Sequence, residues 1–455
     1  MAKYFGTNGV RGKLNELTPE LSMKLAQAIG VYLKKGKIIV GRDCRLTGPI
    51  IQSAVMAGLA SVGCEVIDIG IASSPTVEFI VKKLKANGCV IVSASHNPPE
   101  WNALKVVDSK GIAISWERGE EIEKLMNKSK LAKWDEVGKI EQYDNAIEDH
   151  IKAILDVIGT RKTQTKKPKI VLDCGNGTAA LIAPKLFRDM GAEVLTLNSH
   201  PDGRFPGRPS EPTEANVKEL IALVKSSNAD AGVGWDGDGD RVIFVDEKGK
   251  YIIGDKVYAL SIILRLNEQK HSGDIVTTVA TSRVVEDVAK KYNAKVRYTA
   301  IGAPYLCEEM VKVKHAEDGT AKPTAIIGGE EVGGVIWPEL SLAKDGFLTA
   351  AKMCEAICDK KLSVWLEEIP EYSNVKTKID ADEKKKKEIV EKVLAHAKNN
   401  KLEFVDIDGV RVNFKDSWVI VRASGTENYV RIFAEAKTKE AAQTLVDEYI
   451  KISKN

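Results

Sequence analysis

A strand–helix–strand–helix–strand pattern occurs three times along this chain, and it restricts the fold more than any other feature of the sequence. In each repeat, three strand-like runs of matching shape are separated by helical patterns. The predicted strands, repeat by repeat, are Lys37–Asp43, Gly63–Ile69 and Cys89–Val92; Lys169–Asp173, Gly191–Leu197 and Ala231–Val233; and Asp274–Thr278, Asn293–Tyr298 and Thr324–Ile327. Strands that alternate with helices form parallel sheets covered by helices. The sequence therefore predicts an α/β fold with three related units.

The third strand of each repeat runs into an unusual polar loop. The three loops are Ser93–Pro98, Asp236–Arg241 and Gly328–Gly334. Ligands of open α/β sheets gather at the carboxyl ends of the strands. We therefore expect three strand ends that face one cleft to assemble a composite site from separate domains.

Stretches rich in charge or in turn-forming residues divide the chain into four predicted domains. The boundaries lie in Thr160–Lys169, near Tyr251–Asp255 and in Leu366–Asn374. The predicted domains are 1–155, 156–254, 255–368 and 369–455. The last domain combines a charged helical stretch, short strands and a final amphipathic helix, which predicts a smaller α+β unit. Its lysine run, Lys384–Lys387, is predicted to be a solvated helix face.

The composition is that of an ordinary soluble chain, and it excludes several classes of protein. Of 455 residues, 67 are Lys or Arg and 64 are Asp or Glu, and the net charge of +3 is too small to imply nucleic acid or a membrane surface as partner. No apolar stretch approaches the length of a membrane span, and Met1–Phe5 lacks the apolar core of a signal peptide. The seven cysteines lie singly, without a C-x-x-C pair, and are predicted to be reduced, buried thiols. We therefore expect a cytoplasmic protein.

Three carboxylates alternate with two glycines in Asp236–Arg241, directly after a predicted buried strand. Oxygen ligands without nearby His or Cys favour a hard divalent cation, and the glycines let a short loop turn Asp236, Asp238 and Asp240 inward. An EF-hand loop is one alternative, but Arg241 stands where that loop needs glycine, and a strand-like run follows in place of the exiting helix. A solvated acidic turn without a metal is the other alternative. The pattern favours a catalytic metal site.

Ser95, in the first polar loop, is the candidate nucleophile. His96 follows it directly, which makes a Ser–His relay awkward, and no G-x-S-x-G elbow surrounds the serine. A serine hydrolase therefore fits poorly. If Ser95 instead carries a phosphoryl group, the phosphoryl oxygens could complete the shell of the cation, with Arg241 and Lys105 balancing the negative charge. This hypothesis links the loop of Ser95 to the loop of the three aspartates.

The segment Arg422–Arg431 in the last domain carries an arginine at each end and a Ser-Gly-Thr turn between them. The hydroxyls and backbone N–H groups of such a turn can converge on phosphate oxygens, and guanidinium forks can donate two hydrogen bonds each. An ordinary turn between two strands is the alternative. In company with the acidic loop, the segment favours a phosphate site.

Four segments resemble, in the same order along the chain, the signature loops of the α-D-phosphohexomutases: Ser93–Pro98, Asp236–Arg241, Gly329–Gly334 and Arg422–Arg431. The opening Phe5–Gly12 also resembles the amino-terminal motif of that family. The resemblance covers essentially the whole chain. It implies a heart-shaped molecule with three related α/β/α domains and a smaller α+β domain that closes over the substrate. In chain order, the domains would contribute a phosphoserine loop, a metal-binding loop, a sugar-recognition loop and a phosphate-binding loop.

The resemblance implies an isomerase that interconverts the 6-phosphate and 1-phosphate of glucosamine, glucose or mannose. The reaction would pass through a phosphoserine enzyme and a hexose 1,6-bisphosphate, which also serves as activator. The implied ligands of Mg²⁺ are Ser95, Asp236, Asp238 and Asp240. The residues implied in catalysis or charge stabilisation are Ser95, Lys105, Arg11, Arg241 and His96, and those implied in substrate binding are Glu330, Glu331, Gly329, Arg422, Ser424, Gly425, Thr426 and Arg431. A small phosphosugar is the expected partner, neither nucleic acid nor a membrane is expected, and the sequence leaves a homodimer open.

Departures from the family pattern leave the preferred sugar open. Val332 stands where many relatives place a serine or asparagine, and Ala303 where some members place a histidine. Two alternatives to a mutase also stay in view. One is a metal-dependent sugar phosphatase that uses the same serine as a carrier, and the other is a non-catalytic protein that binds phosphosugars.

Overall fold

The computed structural model describes residues 3–6, 8–159, 162–268, 273–315, 321–323, 325–424 and 428–454. The helices within these ranges are α1 Pro19–Tyr32, α2 Gly48–Ser61, α3 Ser74–Lys83, α4 Trp116–Leu125, α5 Ala146–Ile158, α6 Thr163–Lys166, α7 Ala179–Met190, α8 Lys218–Ser227, α9 Gly254–Glu268, α10 Val284–Lys291, α11 Ala303–Val311, α12 Gly346–Ile357, α13 Leu362–Leu366, α14 Glu383–Asn399 and α15 Lys439–Lys454. Among the described residues, every helix is too short or too polar to span a lipid bilayer. The seven cysteines are free thiols. Six of them are buried, as predicted, whereas Cys358 is only partly buried.

The strands of the described residues form mixed and antiparallel sheets. They are β1 Phe5–Gly6, β2 Gly9–Lys13, β3 Lys37–Arg42, β4 Glu65–Ile71, β5 Gly88–Val92, β6 Trp101–Asp108, β7 Ile140–Gln142, β8 Lys169–Asp173, β9 Glu193–Leu197, β10 Ala231–Trp235, β11 Val242–Asp246, β12 Tyr251–Ile252, β13 Asp274–Thr278, β14 Lys295–Thr299, β15 Val313–His315, β16 Ala321–Pro323, β17 Ala325–Gly329, β18 Val335–Ile336, β19 Ser373–Asp380, β20 Glu403–Val405, β21 Val410–Asn413, β22 Trp418–Ala423 and β23 Tyr429–Ala436.

The three predicted repeats are confirmed, and each contains a parallel trio of strands in the same order. The first strand of each repeat is central: β3 lies between β4 and β5, β8 between β9 and β10, and β13 between β14 and β17. β8 and β13 have the predicted bounds. Thr324, predicted to begin the last strand, lies outside the described residues. A central parallel strand is covered on both faces, which explains why β8 and β13 are buried along almost their whole length.

Further strands extend the first two trios, and all of them are antiparallel to their neighbours except β7, which pairs in parallel with β4. The first becomes a seven-stranded sheet in the order β1-β2-β6-β5-β3-β4-β7, and the second a five-stranded sheet in the order β12-β11-β10-β8-β9. β6 runs antiparallel to β5, and Lys105 on β6 is in register with Ile91 on β5. This pairing brings Lys105 close to the carboxyl end of β5, where the loop of Ser95 begins.

The chain divides into two compact units. The first comprises Met1–Val257 and Val332–Leu366, and it contains the first two repeats with α12 and α13. The second comprises Tyr258–Glu331 and Glu367–Asn455, and it contains the third trio and the C-terminal sheet. The four predicted domain ranges stay predictions.

The C-terminal sheet is antiparallel, in the order β19-β23-β22-β21-β20. Partly buried and exposed residues alternate strictly along β19, which is the pattern of a sheet with one covered face. α14 and α15 pack against it. The prediction of a wholly solvated lysine run on α14 is wrong at Lys386, which is 3% exposed. Helical spacing places Lys386 on the same face as the buried Ile389 and Val393, and this face packs on the sheet.

Candidate active site

Ser95 follows β5, and its hydroxyl contacts the acidic loop, Asp236–Arg241. Ser95 Oγ donates to Asp236 Oδ2 at 2.6 Å, and Ser95 itself is 3% exposed. Its φ of 53° lies in the left-handed region, a strained conformation for a residue with a side chain that persists only where the surroundings hold it. The close approach also depends on Gly237, where a Cβ would lie 2.6 Å from the carbonyl oxygen of Ser95. The structure thus places the loop of Ser95 against the loop of the three aspartates, as the hypothesis of a phosphoryl group on Ser95 requires.

Asp236, Asp238 and Asp240 are buried, and one oxygen of each carboxylate lies within 4.8 Å of those of the other two. Within the described part of the chain, Oδ1 of Asp238 and Oδ1 of Asp240 are buried without a hydrogen bond. Leaving such oxygens unsatisfied is costly, and a hard divalent cation would satisfy them with the ligand type it prefers. The residues therefore fit Mg²⁺. β11 begins directly after this loop, so the exiting helix of an EF-hand is not formed there.

Two buried lysines balance the three carboxylates. Lys105 Nζ lies 2.6 Å from Asp238 Oδ2, and Lys344 Nζ lies 3.1 Å from Asp240 Oδ2. Burial by itself would raise the pKa of Asp238, but the nearby ammonium of Lys105 lowers it overall, and Lys344 does the same for Asp240. Burial and the charges of Asp238 and Asp240 raise the pKa of Asp236 well above its usual range. The sequence patterns did not single out Lys344, which is distant from the acidic loop along the chain.

His96 contacts Arg241 as well as Ser95. Arg241 Nη1 donates to His96 Nδ1 at 3.0 Å, which assigns the ring hydrogen to Nε2. Ser95 Oγ lies 3.4 Å from the same Nδ1. Burial, followed by the charges of Arg241 and Arg11, lowers the pKa of His96 to about 3. An imidazole of this kind is a poor general base near neutral pH.

Arg11 also contacts the Ser95 loop, Ser93–Pro98. Its Nη1 donates to Asn97 Oδ1 at 2.6 Å. The charges of Arg11 and Arg241 both act on His96, within the same loop. The site therefore presents two guanidinium groups beside the serine, and these are suited to the charge of a phosphoryl group.

A buried ion pair between Arg45 and Asp43 supports the Ser95 loop. The sequence patterns did not identify this pair. Arg45 and Asp43 are both 0% exposed, and Arg45 Nε lies 3.0 Å from Asp43 Oδ2. The remaining N–H groups of Arg45 donate to backbone carbonyls of the loop and of β6. The acceptors are the carbonyls of Ser95, Asn97, Pro98 and Trp101. Asp43 and Arg45 follow β3, so the rule that ligands gather at strand ends was the one sequence signal that pointed towards them.

In the second unit, the end of β17 presents two acids next to a glycine. Gly329 is required there, because a Cβ would lie 2.4 Å from the ring of Tyr258. Glu330 is 6% exposed, and Glu331 accepts a hydrogen bond from Thr278 Oγ1 at 3.3 Å. Burial and then the charge of Glu330 raise the pKa of Glu331. Carboxylates placed in this way can accept hydrogen bonds from the hydroxyls of a sugar.

Also in the second unit, Arg422 on β22 lies directly opposite Arg431 on β23. Like charges in this arrangement are destabilising. Arg422 Nε pairs with Asp408 Oδ1 at 2.7 Å, and Arg431 Nη2 donates to Tyr429 Oη at 3.0 Å. An anion held by both guanidinium groups would relieve their repulsion, as expected for a phosphate site.

Ser424 begins the predicted phosphate turn, and it is 4% exposed. Its N–H donates to the carbonyl of Tyr429 at 3.0 Å, and its own carbonyl accepts from the ammonium of Lys386 at 2.9 Å. The buried lysine of α14 therefore fixes the start of the turn. Gly425 and Thr426, which were also predicted to bind phosphate, lie outside the described residues.

Comparison with known proteins identifies four consecutive matches along the chain. They are the α/β/α domains I, II and III and the C-terminal domain of phosphoglucomutase/phosphomannomutase, at residues 2–133, 148–249, 253–372 and 376–452. The chain is 40% identical over 464 residues to a phosphoglucomutase/phosphomannomutase of Thermococcus kodakarensis, covering 99% of this chain and 98% of that protein. It is 38% identical over 456 residues to a probable phosphoglucosamine mutase of Methanopyrus kandleri, with coverage of 99% and 98%.

A solved structure shows the same fold. The crystal structure of a phosphoglucomutase/phosphomannomutase family protein from Burkholderia thailandensis matches with a TM-score of 0.86 at 24% identity, covering 98% of this chain and 97% of that one. Together with the four domain matches, this confirms the predicted fold class of three α/β/α domains followed by a smaller C-terminal domain.

Proposed function

This chain belongs to the phosphoglucomutase/phosphomannomutase family, and we propose that it interconverts hexose 6-phosphates and hexose 1-phosphates as an intramolecular phosphotransferase. The observation that carries the proposal is the 2.6 Å hydrogen bond from Ser95 Oγ to Asp236. It joins a candidate nucleophile to a group of three buried carboxylates that fits a divalent cation. A divalent cation held by these carboxylates would supply the positive charge that phosphoryl transfer to and from Ser95 requires.

In the proposed reaction, Ser95 carries a phosphoryl group and transfers it to the free hydroxyl of a hexose monophosphate. The sugar oxygen bonds to phosphorus as the bond between phosphorus and Oγ breaks, and the proton lost by the sugar hydroxyl ends on Oγ. The product is a hexose 1,6-bisphosphate, which turns round and returns its other phosphoryl group to Ser95 by the reverse step. Free hexose 1,6-bisphosphate would also phosphorylate a bare Ser95, so we expect it to act as an activator.

The residues around Ser95 have separate tasks in this proposal. Lys105, Arg241 and Arg11 supply positive charge to the phosphoryl oxygens, while His96 keeps Arg241 in place. The proposed ligands of Mg²⁺ are Asp236, Asp238, Asp240 and the phosphoryl group on Ser95. When bound, Mg²⁺ would neutralise charge on the transferring group, and most catalysis of phosphoryl transfer consists of such positioning and electrostatic stabilisation.

The second unit supplies the proposed recognition of the substrate. Glu330 and Glu331 accept hydrogen bonds from sugar hydroxyls, and Gly329 lets the backbone pass Tyr258 at this strand end. The phosphate that is not reacting is held by Arg422, Ser424, Gly425, Thr426 and Arg431. The same groups must bind the 1-phosphate in one orientation of the sugar and the 6-phosphate in the other. Two guanidinium groups suit this requirement, because each can donate two hydrogen bonds to phosphate oxygens.

The products distinguish this function from its alternatives. With Mg²⁺, a hexose 1,6-bisphosphate and glucosamine 6-phosphate, we expect the isomeric 1-phosphate as the main product, and we expect turnover to stop when a chelator removes the metal. The measurement separates isomerised sugar phosphate from inorganic phosphate. Inorganic phosphate as the main product would instead identify a sugar phosphatase, and unchanged substrate after long incubation would identify a binding protein.

We expect the enzyme to accept several sugars. The two relatives are named for mannose and glucose phosphates in one case and for glucosamine phosphate in the other. Val332 leaves out one polar contact with the sugar that many relatives have, and Ala303 stands where some members place a histidine. The specificity constants for glucose, mannose, glucosamine and N-acetylglucosamine phosphates should differ moderately, with glucosamine phosphate among those turned over. A preference for one sugar above about a thousandfold, or about 4 kcal/mol of discrimination between transition states, would contradict this expectation.

A further inference from the structure

Three cations form a row across the C-terminal sheet, which we call the basic row: Lys378, Arg431 and Arg422. Lys378 on β19 lies directly opposite Arg431 on β23, and Arg431 lies directly opposite Arg422 on β22. Directly opposite residues of antiparallel strands have their side chains on the same face of the sheet. Lys378 is exposed. Ile379 follows Lys378 on β19, and Val430 precedes Arg431 on β23. Their side chains therefore lie on the other face of the sheet, where they pack in the hydrophobic core.

The side chains of Lys378 and Arg431 meet at one aromatic ring. Lys378 Nζ lies 5.1 Å and Arg431 Cζ 5.4 Å from the centroid of the ring of Tyr429. Arg431 also donates to the hydroxyl of that tyrosine. Both cations therefore contact the same ring, which is carried by the strand of Arg431.

The basic row places three positive charges on one face of the sheet. Arg422 pairs with Asp408, but Lys378 forms no ion pair among the described residues. Asp380 follows on the same face of β19 and is paired across the strands with Tyr429. Lys376 precedes Lys378 on this face, and its charge acts on Glu331. The basic face of β19 therefore adjoins the proposed sugar site within the second unit.

We propose that Lys378 is a third cationic ligand for the phosphate that Arg422 and Arg431 hold, and that it makes the site selective for a dianionic phosphate monoester. The inference rests on the proposed function and adds a residue to its substrate site. Like charges directly opposite each other reduce the stability of a sheet, and a bound anion would offset this repulsion. A phosphate dianion has enough oxygens to accept from two guanidinium forks and one ammonium, whereas a carboxylate or a phosphodiester carries only one charge.

The test compares the full chain with its Lys378→Met variant in the presence and absence of inorganic phosphate. Without phosphate, the variant should unfold at a higher temperature than the wild type, because one repulsive charge is gone. The stabilisation that phosphate adds should be smaller, and the Kd for inorganic phosphate, measured by calorimetry, should rise about tenfold. The KM for hexose monophosphates should rise by a similar factor, with kcat changed less than about twofold, because the lost contact serves ground state and transition state alike.

Two further variants make the result decisive. Lys378→Arg keeps the charge and should bind phosphate as the wild type does. Lys384→Met removes one charge from α14, where the side chain is 88% exposed, and should leave phosphate binding unchanged. The proposal is overturned if Lys378→Met binds inorganic phosphate within about twofold of the wild type, or if the wild type does not bind it.

Phosphate binding does not require turnover, so the two claims can fail separately. A protein that binds phosphate through Lys378 but forms no isomer would keep this inference and refute the proposed reaction. A protein that isomerises its substrate but binds phosphate equally well in the Lys378→Met variant would do the opposite.

Discussion

Replacing Ser95 by alanine is expected to reduce mutase turnover by at least about a thousandfold, because the variant has no oxygen that can carry the phosphoryl group. The remaining groups of the site are poorly placed to take over this covalent role: the lone pair of His96 Nδ1 accepts a hydrogen bond from Arg241, and the three aspartates are committed to the proposed metal. Steady-state turnover with a hexose 1,6-bisphosphate present measures the effect. Intact mass spectrometry should show one phosphoryl group on the wild-type chain after incubation with that bisphosphate, and none on the variant.

The controls separate loss of chemistry from loss of structure. Ser226→Ala removes a hydroxyl from an exposed position on α8 and should leave turnover and phosphorylation unchanged. The Ser95→Ala variant should still bind Mg²⁺, because Asp236, Asp238 and Asp240 remain. Near-normal turnover in folded Ser95→Ala would remove Ser95 from the mechanism and with it the proposed phosphoserine enzyme.

Replacing Arg45 by methionine is expected to cost about 3–5 kcal/mol of unfolding free energy, because it leaves the buried carboxylate of Asp43 without its partner. It also removes the donor for four backbone carbonyls, among them that of Ser95. The strained φ of Ser95 then loses a support, so turnover should fall as well. Urea denaturation gives the stability change, and the rate of phosphorylation by hexose 1,6-bisphosphate gives the change in positioning.

The pH dependence of this loss has a definite sign. Burial raises the pKa of Asp43, and the charge of Arg45 opposes that rise. Without Arg45, the pKa of Asp43 is higher in the folded state than in the unfolded state. At any pH at which the unfolded chain has an ionised Asp43, folding must protonate this carboxylate or bury its charge, and both cost free energy. The destabilisation should therefore shrink as the pH falls towards the ordinary pKa of an aspartate, and grow above it.

A double-mutant cycle tests whether the two residues act as a pair. Asp43→Asn combined with Arg45→Met removes both charges, and the double variant should lose less stability than the sum of the single variants. Arg45→Lys keeps the charge but lacks the fork that reaches several carbonyls, so it should recover part of the stability and little of the positioning. Additive losses in the cycle would show that the ion pair does not account for the effect.

The sequence patterns were reliable wherever the signal lies within one short segment. β8 and β13 have the predicted bounds, because both are short runs rich in β-branched or other apolar residues and bounded by turn-forming or charged residues. Ser95 and Asp236 follow β5 and β10 as expected, and polar loops at the ends of parallel strands could be read directly. The roles of individual residues in these loops came from resemblance, and they stay proposals.

The sequence patterns did not predict the role of a side chain whose partner is distant along the chain. The sequence predicted Lys386 to be one of four solvated lysines. The structure places it on the buried face of α14, where it donates to the carbonyl of Ser424. Lys344 gave no local signal, because its partner Asp240 lies on a distant segment. The strand-end rule pointed towards Arg45, but it did not show that Arg45 donates to the carbonyl of Ser95. Lys378 gained a role only through the pairing of β19 with β23.

The amino-acid sequence by itself determined the three α/β repeats, the positions of the polar loops and the chemistry that their side chains can offer, because periodicity and turn chemistry act between near neighbours in the chain. Only the tertiary structure decided which charges neutralise each other, which carbonyls hold the Ser95 loop and which cations share a face with Arg431. These contacts depend on strand register and on helix packing between distant segments. Coulombic and hydrogen-bond energies fall off over a few ångströms, so they are decided by spatial distance and not by order along the chain.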